Sequence, residues 1–129
     1  MRTFPLVSCS LAMCLQILTP IGTASAQQEP NTARVLLDQC TAYLSGHAEA
    51  PARITCENTI LSTLRTIEAL PSIDLEFKPL FCFRSGSAPS ARQAAQIFEK
   101  YVRDHPDMLS QPAELVVISA MKDAYPCTR

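Results

Sequence analysis

Four segments of the chain carry apolar residues at the three- and four-residue intervals of an amphipathic helix. The first segment predicts a helix that Asn31 or Thr32 caps and that ends near Ser45. Gly46 follows and can adopt the left-handed conformation that is common after helices. The apolar stripe of this helix consists of Val35, Leu36, Cys40, Tyr43 and Leu44.

The second segment lies between two prolines. We expect Pro51 to lie in a non-helical break between the first and second helices. The second helix is predicted over residues 55–70, where Pro71 should stop it. The stripe of this helix consists of Cys56, Ile60, Leu61, Leu64 and Ile67. Proline and glycine recur over residues 71–89, so this stretch is predicted to be a structured loop pinned by Cys82 and its aromatic neighbours.

The third segment begins with a capping signal. Ser90 and Gln93 have the spacing of a capping box at the start of a helix over residues 91–104. Pro106 should end that helix, because proline disfavours helical geometry in the residue before it. The apolar stripe consists of Ala94, Ile97, Phe98, Tyr101 and Val102, and the opposite face carries Arg92, Gln96, Glu99, Lys100 and Arg103.

The fourth segment starts after a short connection. Gln111 is predicted to cap a helix that has Pro112 at its first position, where proline is well tolerated. Its apolar residues are Leu115, Val116, Ile118, Ala120 and Met121. None of the segments has a convincing strand pattern. The sequence therefore predicts an all-α fold, a small bundle of four main helices.

The first 26 residues have the pattern of a secretory signal peptide. Arg2 gives a basic start, residues 4–18 are mostly apolar but short for a membrane span, and residues 24–26 supply small side chains for cleavage. We therefore predict cleavage after Ala26. The remaining residues, 27–129, would form a single helical domain of about 100 residues that is exported from the cytoplasm.

Two of the six cysteines, Cys9 and Cys14, lie in this leader. Little apolar sequence precedes Cys9, and Met13 is a poor match to a lipoprotein box before Cys14, so a soluble product is favoured while lipidation at Cys9 stays open. No two of the other cysteines have the spacing of a zinc site. In an oxidising compartment this even set indicates two disulfides among Cys40, Cys56, Cys82 and Cys127.

The composition argues against catalysis and against nucleic acid. With 11 basic and 12 acidic residues the chain is close to neutral, which gives no electrostatic footprint for nucleic acid or an anionic membrane. Gly46 and Gly86 are the only glycines after the leader, so a phosphate-binding loop is excluded. Asp104 and His105 are adjacent and could be a catalytic pair. The simpler explanation is that His105 lies at a helix C-terminus, where the helix dipole favours a positively charged imidazole ring. We expect no enzyme activity, no metal and no cofactor.

The cysteine-bearing segments and the two C-terminal helices form a recognisable combination. It consists of Phe81-Cys82-Phe83, Gln93, Tyr101-Val102-Arg103-Asp104-His105-Pro106-Asp107, Pro112-Ala113 and Ala124-Tyr125-Pro126-Cys127, preceded by segments 36–40 and 55–64. Over about Val35 to Cys127 the chain resembles the Rap/Tai family, the periplasmic immunity proteins of type VI secretion systems. It departs from the family in the second helix, where Asn58, Thr59 and Ser62 replace a Gly-Tyr pair and a further glycine.

The resemblance implies a small, all-helical, disulfide-bonded and usually dimeric protein. Family members block a peptidoglycan amidase effector delivered by neighbouring cells, and they do so stoichiometrically, so there is no catalytic residue to carry over. The resemblance also implies how inhibition occurs: the immunity protein pushes a loop into the cleft of the amidase. The corresponding partner-binding site is expected at the connection after the third helix, with that helix's exposed face, at His105, Pro106, Asp107, Met108 and Leu109.

The connection also has suitable properties of its own. Pro106 and Pro112 stiffen it, which lowers the entropy lost on binding. Met108 and Leu109 offer apolar side chains that can adapt to a partner. The alternative is that these two side chains pack inward and close the end of the bundle.

Helical hairpins would bring the cysteines together in pairs. The first two helices would place Cys40 beside Cys56, and antiparallel third and fourth helices would place Cys82 beside Cys127. We therefore predict the pairs Cys40–Cys56 and Cys82–Cys127. Four short helices should leave an apolar stripe incompletely covered, so we also predict a homodimer to which the third helix contributes.

Two other functions are open on the sequence. One is a small periplasmic chaperone or stress protein without an enzyme partner. Such a protein would expose apolar surface when the pH changes, but only two histidines, His47 and His105, could drive this change near neutral pH. The other is a structural component of the envelope. A small amidase encoded by a neighbouring gene would favour the immunity protein.

Overall fold

The computed structural model describes residues 31–84 and 88–127. Four α-helices follow one another in these ranges: α1 Ala33–Ser45, α2 Ala50–Ile73, α3 Ala91–Asp104 and α4 Ala113–Ala124. A 3₁₀ helix, Pro106–Ser110, connects α3 to α4. The described residues contain no strand beyond an isolated bridge between Thr32 and Pro112. The predicted all-α bundle is confirmed, whereas the predicted signal peptide over residues 1–26 lies outside the described residues.

The ends of α1 are close to those predicted. Thr32 occupies the cap position, but its side chain makes no capping hydrogen bond. At the other end Gly46 has a φ of 77° and its N–H donates to the Tyr43 carbonyl oxygen at 3.3 Å. This left-handed conformation is the one that glycine adopts at little cost.

The start of α2 differs from the prediction. The helix begins at Ala50 rather than near Thr55, and Pro51 lies in its first turn. The N–H that proline lacks would have no acceptor within the helix at this position, so proline is tolerated there. The expected interruption at Pro51 is therefore wrong.

The end of α2 differs as well. Pro71 lies inside the helix, which continues to Ile73. Only the hydrogen bond of Pro71 itself is lost, and the next turn still closes because the Asp74 N–H donates to the Leu70 carbonyl oxygen at 2.9 Å. The expectation that Pro71 stops the helix after residue 70 is wrong by three residues.

The start of α3 confirms the predicted capping box. Ser90 Oγ accepts from the Gln93 N–H at 3.3 Å, and Gln93 Oε1 accepts from the Ser90 N–H at 2.9 Å. The helix ends at Asp104, before His105 and Pro106, as predicted. The start of α4 is shifted by one residue, because Pro112 rather than Gln111 occupies the cap position.

The core lies between the four helices. Its largest fully buried side chains are Leu36, Cys40, Cys56, Ile60, Phe98, Val102, Val116, Val117 and Met121. Leu115 was expected on the apolar side of α4 but is 47% exposed, while Val117 and Ala113 are buried instead. Of the stripe of α3, Ala94, Phe98 and Val102 are buried, and Ile97 and Tyr101 are half-buried against the core.

The loop before α3 is pinned at residues 81–83, as predicted. The Cys82 N–H donates to the Tyr125 carbonyl oxygen at 2.9 Å, and the rings of Phe83 and Tyr125 meet edge to face at 5.0 Å. Phe81 is buried against the core. Both predicted disulfides are confirmed, Cys40–Cys56 and Cys82–Cys127.

Candidate partner-binding site

The connection between α3 and α4 is held at its far end by the start of α1. The Ala33 N–H donates to the Gln111 carbonyl oxygen, and the Ala113 N–H donates to the Asn31 carbonyl oxygen, both at 2.9 Å. Asn31 Nδ2 also donates to Glu114 Oε1 at 2.6 Å. The end of the connection is therefore fixed by a part of the chain that is distant in sequence.

The interior of the connection is a 3₁₀ helix, as its hydrogen bonds show. The Met108 N–H donates to the His105 carbonyl oxygen at 3.0 Å, and the Gln111 N–H donates to the Met108 carbonyl oxygen at 3.0 Å. Together with Pro106 these bonds leave the backbone few alternative conformations. The sequence predicted a stiff connection but gave no sign that it is helical.

The five expected site residues divide into two groups. His105, Pro106 and Asp107 are exposed. Met108 and Leu109 are half-buried and pack against the core. The contact surface that the connection offers is thus mainly polar, and its apolar residues anchor it to the bundle.

His105 is held in place by Tyr101, one helical turn earlier. The two rings are stacked, with centroids 4.2 Å apart and planes at 21°. His105 Nδ1 lies 2.9 Å from the Tyr101 carbonyl oxygen. Since a carbonyl oxygen only accepts, Nδ1 is the donor, which leaves Nε2 of the neutral ring to accept a hydrogen bond.

The exposed face of α3 next to the connection carries paired charges. Lys100 Nζ lies 2.6 Å from Asp104 Oδ2, and an Arg103 nitrogen lies 3.4 Å from Glu99 Oε1. The hydrogen bond from Lys100 holds the pKa of the Asp104 carboxyl below its usual range, and the nearby positive charge acts in the same direction. Because both side chains are exposed, this pair shapes the surface charge and contributes little to stability.

A shallow cavity of about 230 Å³ lies beside these residues, between α3 and α4. Tyr101 and Asp104 line it, so it adjoins His105, and Asp123 contributes from α4. A larger cavity, about 500 Å³, lies near the other end of the α3–α4 pair, lined by Phe83, Arg84, Ala88, Pro89, Gln93, Ala124 and Tyr125. The expected site thus has the smaller of these two cavities next to it and lies away from the larger one.

Two exposed apolar side chains near the end of α2 were not predicted from the sequence. Ile73 and Leu75, at and just after the end of α2, are 81% and 94% exposed. They flank Asp74, whose side chain accepts from the Glu76 N–H at 3.0 Å and whose carbonyl oxygen accepts from the Phe77 N–H at 3.1 Å. We name residues 73–77 the apolar turn. The alternation of apolar and acidic residues after Pro71 marks this segment in the sequence, but it does not show that the apolar side chains are exposed.

Within residues 31–84 and 88–127, no cluster of three or more histidine, cysteine, aspartate or glutamate side chains could hold a metal ion. Among the helices of the same residues, none is long and apolar enough to cross a membrane.

These features define a small helical protein closed by two disulfides, with a stiff exposed connection as its candidate contact surface. The family model of the Rap1a immunity proteins matches residues 8–127, and the chain belongs to this family. It is therefore an immunity protein against a secreted effector, a class that is generally not enzymatic. The resemblance seen in the sequence is confirmed. No curated protein matches the chain, and no solved structure matches it.

Proposed function

We propose that this chain is a periplasmic immunity protein that binds and inhibits a peptidoglycan amidase effector delivered by type VI secretion. The observation that carries the proposal is its membership of the Rap1a immunity family over residues 8–127. The secretory pattern of residues 1–26 and the two disulfides support an oxidising compartment outside the cytoplasm.

The proposed site of inhibition is the connection from His105 to Leu109, with the adjoining face of α3. Binding a rigid segment costs little conformational entropy, and this connection is closed by its own hydrogen bonds and by those to the start of α1. His105 and Asp107 are exposed and can hydrogen-bond to a partner, while Met108 and Leu109 hold the segment on the core. Inhibition on this account is steric, because the segment occupies the enzyme's cleft.

The site is tested by the double substitution His105→Ala/Asp107→Ala. Both side chains are exposed, so the free energy of unfolding should stay within about 0.5 kcal/mol of wild type. Affinity for the amidase, measured by calorimetry, should fall about 10-fold or more, the effect of losing one important polar contact.

A matched control exists elsewhere on the surface. His47 and Asp38 are the same residue types and are also exposed, and they lie outside the connection. The variant His47→Ala/Asp38→Ala should bind as wild type does. Equal losses in the two variants, or none in either, would place the site elsewhere.

We also propose that the protein is a homodimer, with the apolar turn rather than α3 in the contact. In the stripe of α3, Ala94, Phe98 and Val102 are buried and Ile97 and Tyr101 are half-buried, whereas Ile73 and Leu75 project from the bundle. Beside the turn is a groove of about 180 Å³, lined by Ile67, Glu68, Pro71, Pro79, Leu80, Phe81 and Phe83. Pro71 and Pro79 flank the turn in sequence, so each copy carries both a projection and a groove. A two-fold arrangement can fill both grooves at once.

A further inference from the structure

The two disulfides have different surroundings. Cys40 and Cys56 belong to α1 and α2, and both are fully buried. Cys82 lies in the loop before α3 and Cys127 in the segment after α4, and both are exposed. We call these the inner and the outer disulfide.

This difference controls access by a thiol. Exchange begins when a thiolate reaches a disulfide sulfur, so an exposed disulfide reacts without rearrangement of the protein. A thiolate can reach the inner disulfide only after α1 and α2 separate, and this separation would also expose Leu36 and Ile60. Opening a packed core costs a large part of the free energy of unfolding.

Cleavage of the outer disulfide would leave most of the bundle in place. The segments that it joins also meet through the hydrogen bond from Cys82 to Tyr125 and through the edge-to-face contact of Phe83 with Tyr125. Phe81 remains buried, and the inner disulfide still joins α1 to α2. The loop would therefore lose one tether while the helices stay packed.

We infer that the Cys82–Cys127 disulfide is a redox modification site that exchanges reversibly with a dithiol, while Cys40–Cys56 is a structural disulfide. One thiol of the dithiol loses its proton and attacks one of the two sulfurs, forming a mixed disulfide and expelling the other cysteine as a thiolate that takes up a proton. The second thiol of the dithiol then loses its proton and attacks the sulfur of the first, which releases the remaining protein cysteine as a thiolate that takes up a proton. Two electrons pass to the protein, which gains the Cys82 and Cys127 thiols, and the dithiol leaves as a disulfide. This inference does not depend on the proposed partner.

Graded reduction of the native protein tests the inference. The oxidised chain is treated with dithiothreitol, quenched with iodoacetamide at intervals and analysed by peptide mapping. Alkylation at Cys82 and Cys127 should proceed about 100-fold faster than at Cys40 and Cys56, because only the inner pair requires the core to open. The far-ultraviolet circular dichroism should remain helical when two thiols have formed. Simultaneous appearance of all four thiols, earlier reduction of Cys40–Cys56, or loss of helicity at the two-thiol stage would overturn the inference.

Two controls separate access from other causes. In enough guanidinium chloride to unfold the chain, the difference in rate should shrink to a few-fold, because burial no longer protects the inner pair. The variant Cys82→Ser/Cys127→Ser should release no thiol under the native conditions that reduce the outer disulfide. A rate difference that survives unfolding, or thiols released by the variant, would contradict the assignment.

Discussion

The N-termini of α3 and α1 differ because a capping side chain is present at one and absent at the other. At α3, Ser90 and Gln93 satisfy each other's backbone N–H groups, so the helix start is stabilised by its own sequence. At α1, Thr32 makes no such bond, and the Ala33 N–H instead donates to the Gln111 carbonyl oxygen. The start of α1 therefore depends on the rest of the fold, while the start of α3 does not.

Replacement of Ser90 by alanine should therefore destabilise the protein measurably. Loss of the side-chain acceptor at a helix N-cap costs about 1 kcal/mol, which corresponds to a decrease in Tm of about 4–8 °C for a domain of this size. Thermal unfolding followed by circular dichroism measures it.

Ser62→Ala is the control for the Ser90 variant. The Ser62 side chain is exposed on α2 and donates to the Thr59 carbonyl oxygen, so its loss should change the free energy of unfolding by less than about 0.5 kcal/mol. If the two variants had the same Tm, the capping box would contribute nothing beyond an ordinary surface serine.

At the scale of elements, local signals predicted the helices better than their ends. The capping box located α3 to the residue, because it is made by side chains three positions apart. Pro51 and Pro71 misled the prediction for α2, because the effect of a proline depends on its distance from the helix end, which the sequence does not state.

The candidate site shows the same limit. The stiffness of the connection followed from Pro106 and Pro112, but which of its side chains face outward depends on packing against α1 and α3. The apolar turn was not predicted for the same reason. Ile73 and Leu75 have side chains typical of a core, and only the path of the chain after Pro71 leaves them exposed.

The anchoring role of Met108 and Leu109 gives a prediction about stability. Both side chains pack on the core, so the variant Met108→Asp/Leu109→Asp places two charges where apolar contacts were. We expect a loss of about 2 kcal/mol or more in the free energy of unfolding, measured by urea denaturation.

The variant Ile54→Asp/Leu115→Asp provides the comparison for the anchoring prediction. It makes the same chemical change at side chains that are about half exposed, and it should cost less than about 1 kcal/mol. If the connection variant kept full stability, Met108 and Leu109 would not be anchors and would be available to a partner directly.

At the scale of the whole molecule, residues 31–84 and 88–127 form two helical pairs, each closed by one disulfide. Cys40–Cys56 joins α1 to α2 across 16 residues, and Cys82–Cys127 closes a loop of 45 residues that contains α3 and α4. Loop closure of these lengths stabilises a fold by about 3 and about 4 kcal/mol.

The proposed dimer is a prediction at this scale. Light scattering should detect a dimer of the wild-type protein at high micromolar concentration, because burying Ile73 and Leu75 removes two large apolar side chains from water. The variant Ile73→Ser/Leu75→Ser should raise the dimer Kd about 10-fold or more. The variant Ile54→Ser/Leu115→Ser also removes two exposed apolar side chains and should leave Kd unchanged. A monomeric wild type at that concentration would disprove the dimer.

We propose that this member of the Rap1a immunity family inhibits a peptidoglycan amidase by occupying its cleft. The most direct measurement is a titration of a purified amidase, encoded beside this chain's gene, with the oxidised protein while peptidoglycan cleavage is followed. We expect cleavage to fall in proportion to added protein and to cease at one chain per enzyme. The variant His105→Ala/Asp107→Ala should inhibit more weakly, and His47→Ala/Asp38→Ala should inhibit as wild type does. Undiminished cleavage in the presence of excess protein would contradict it.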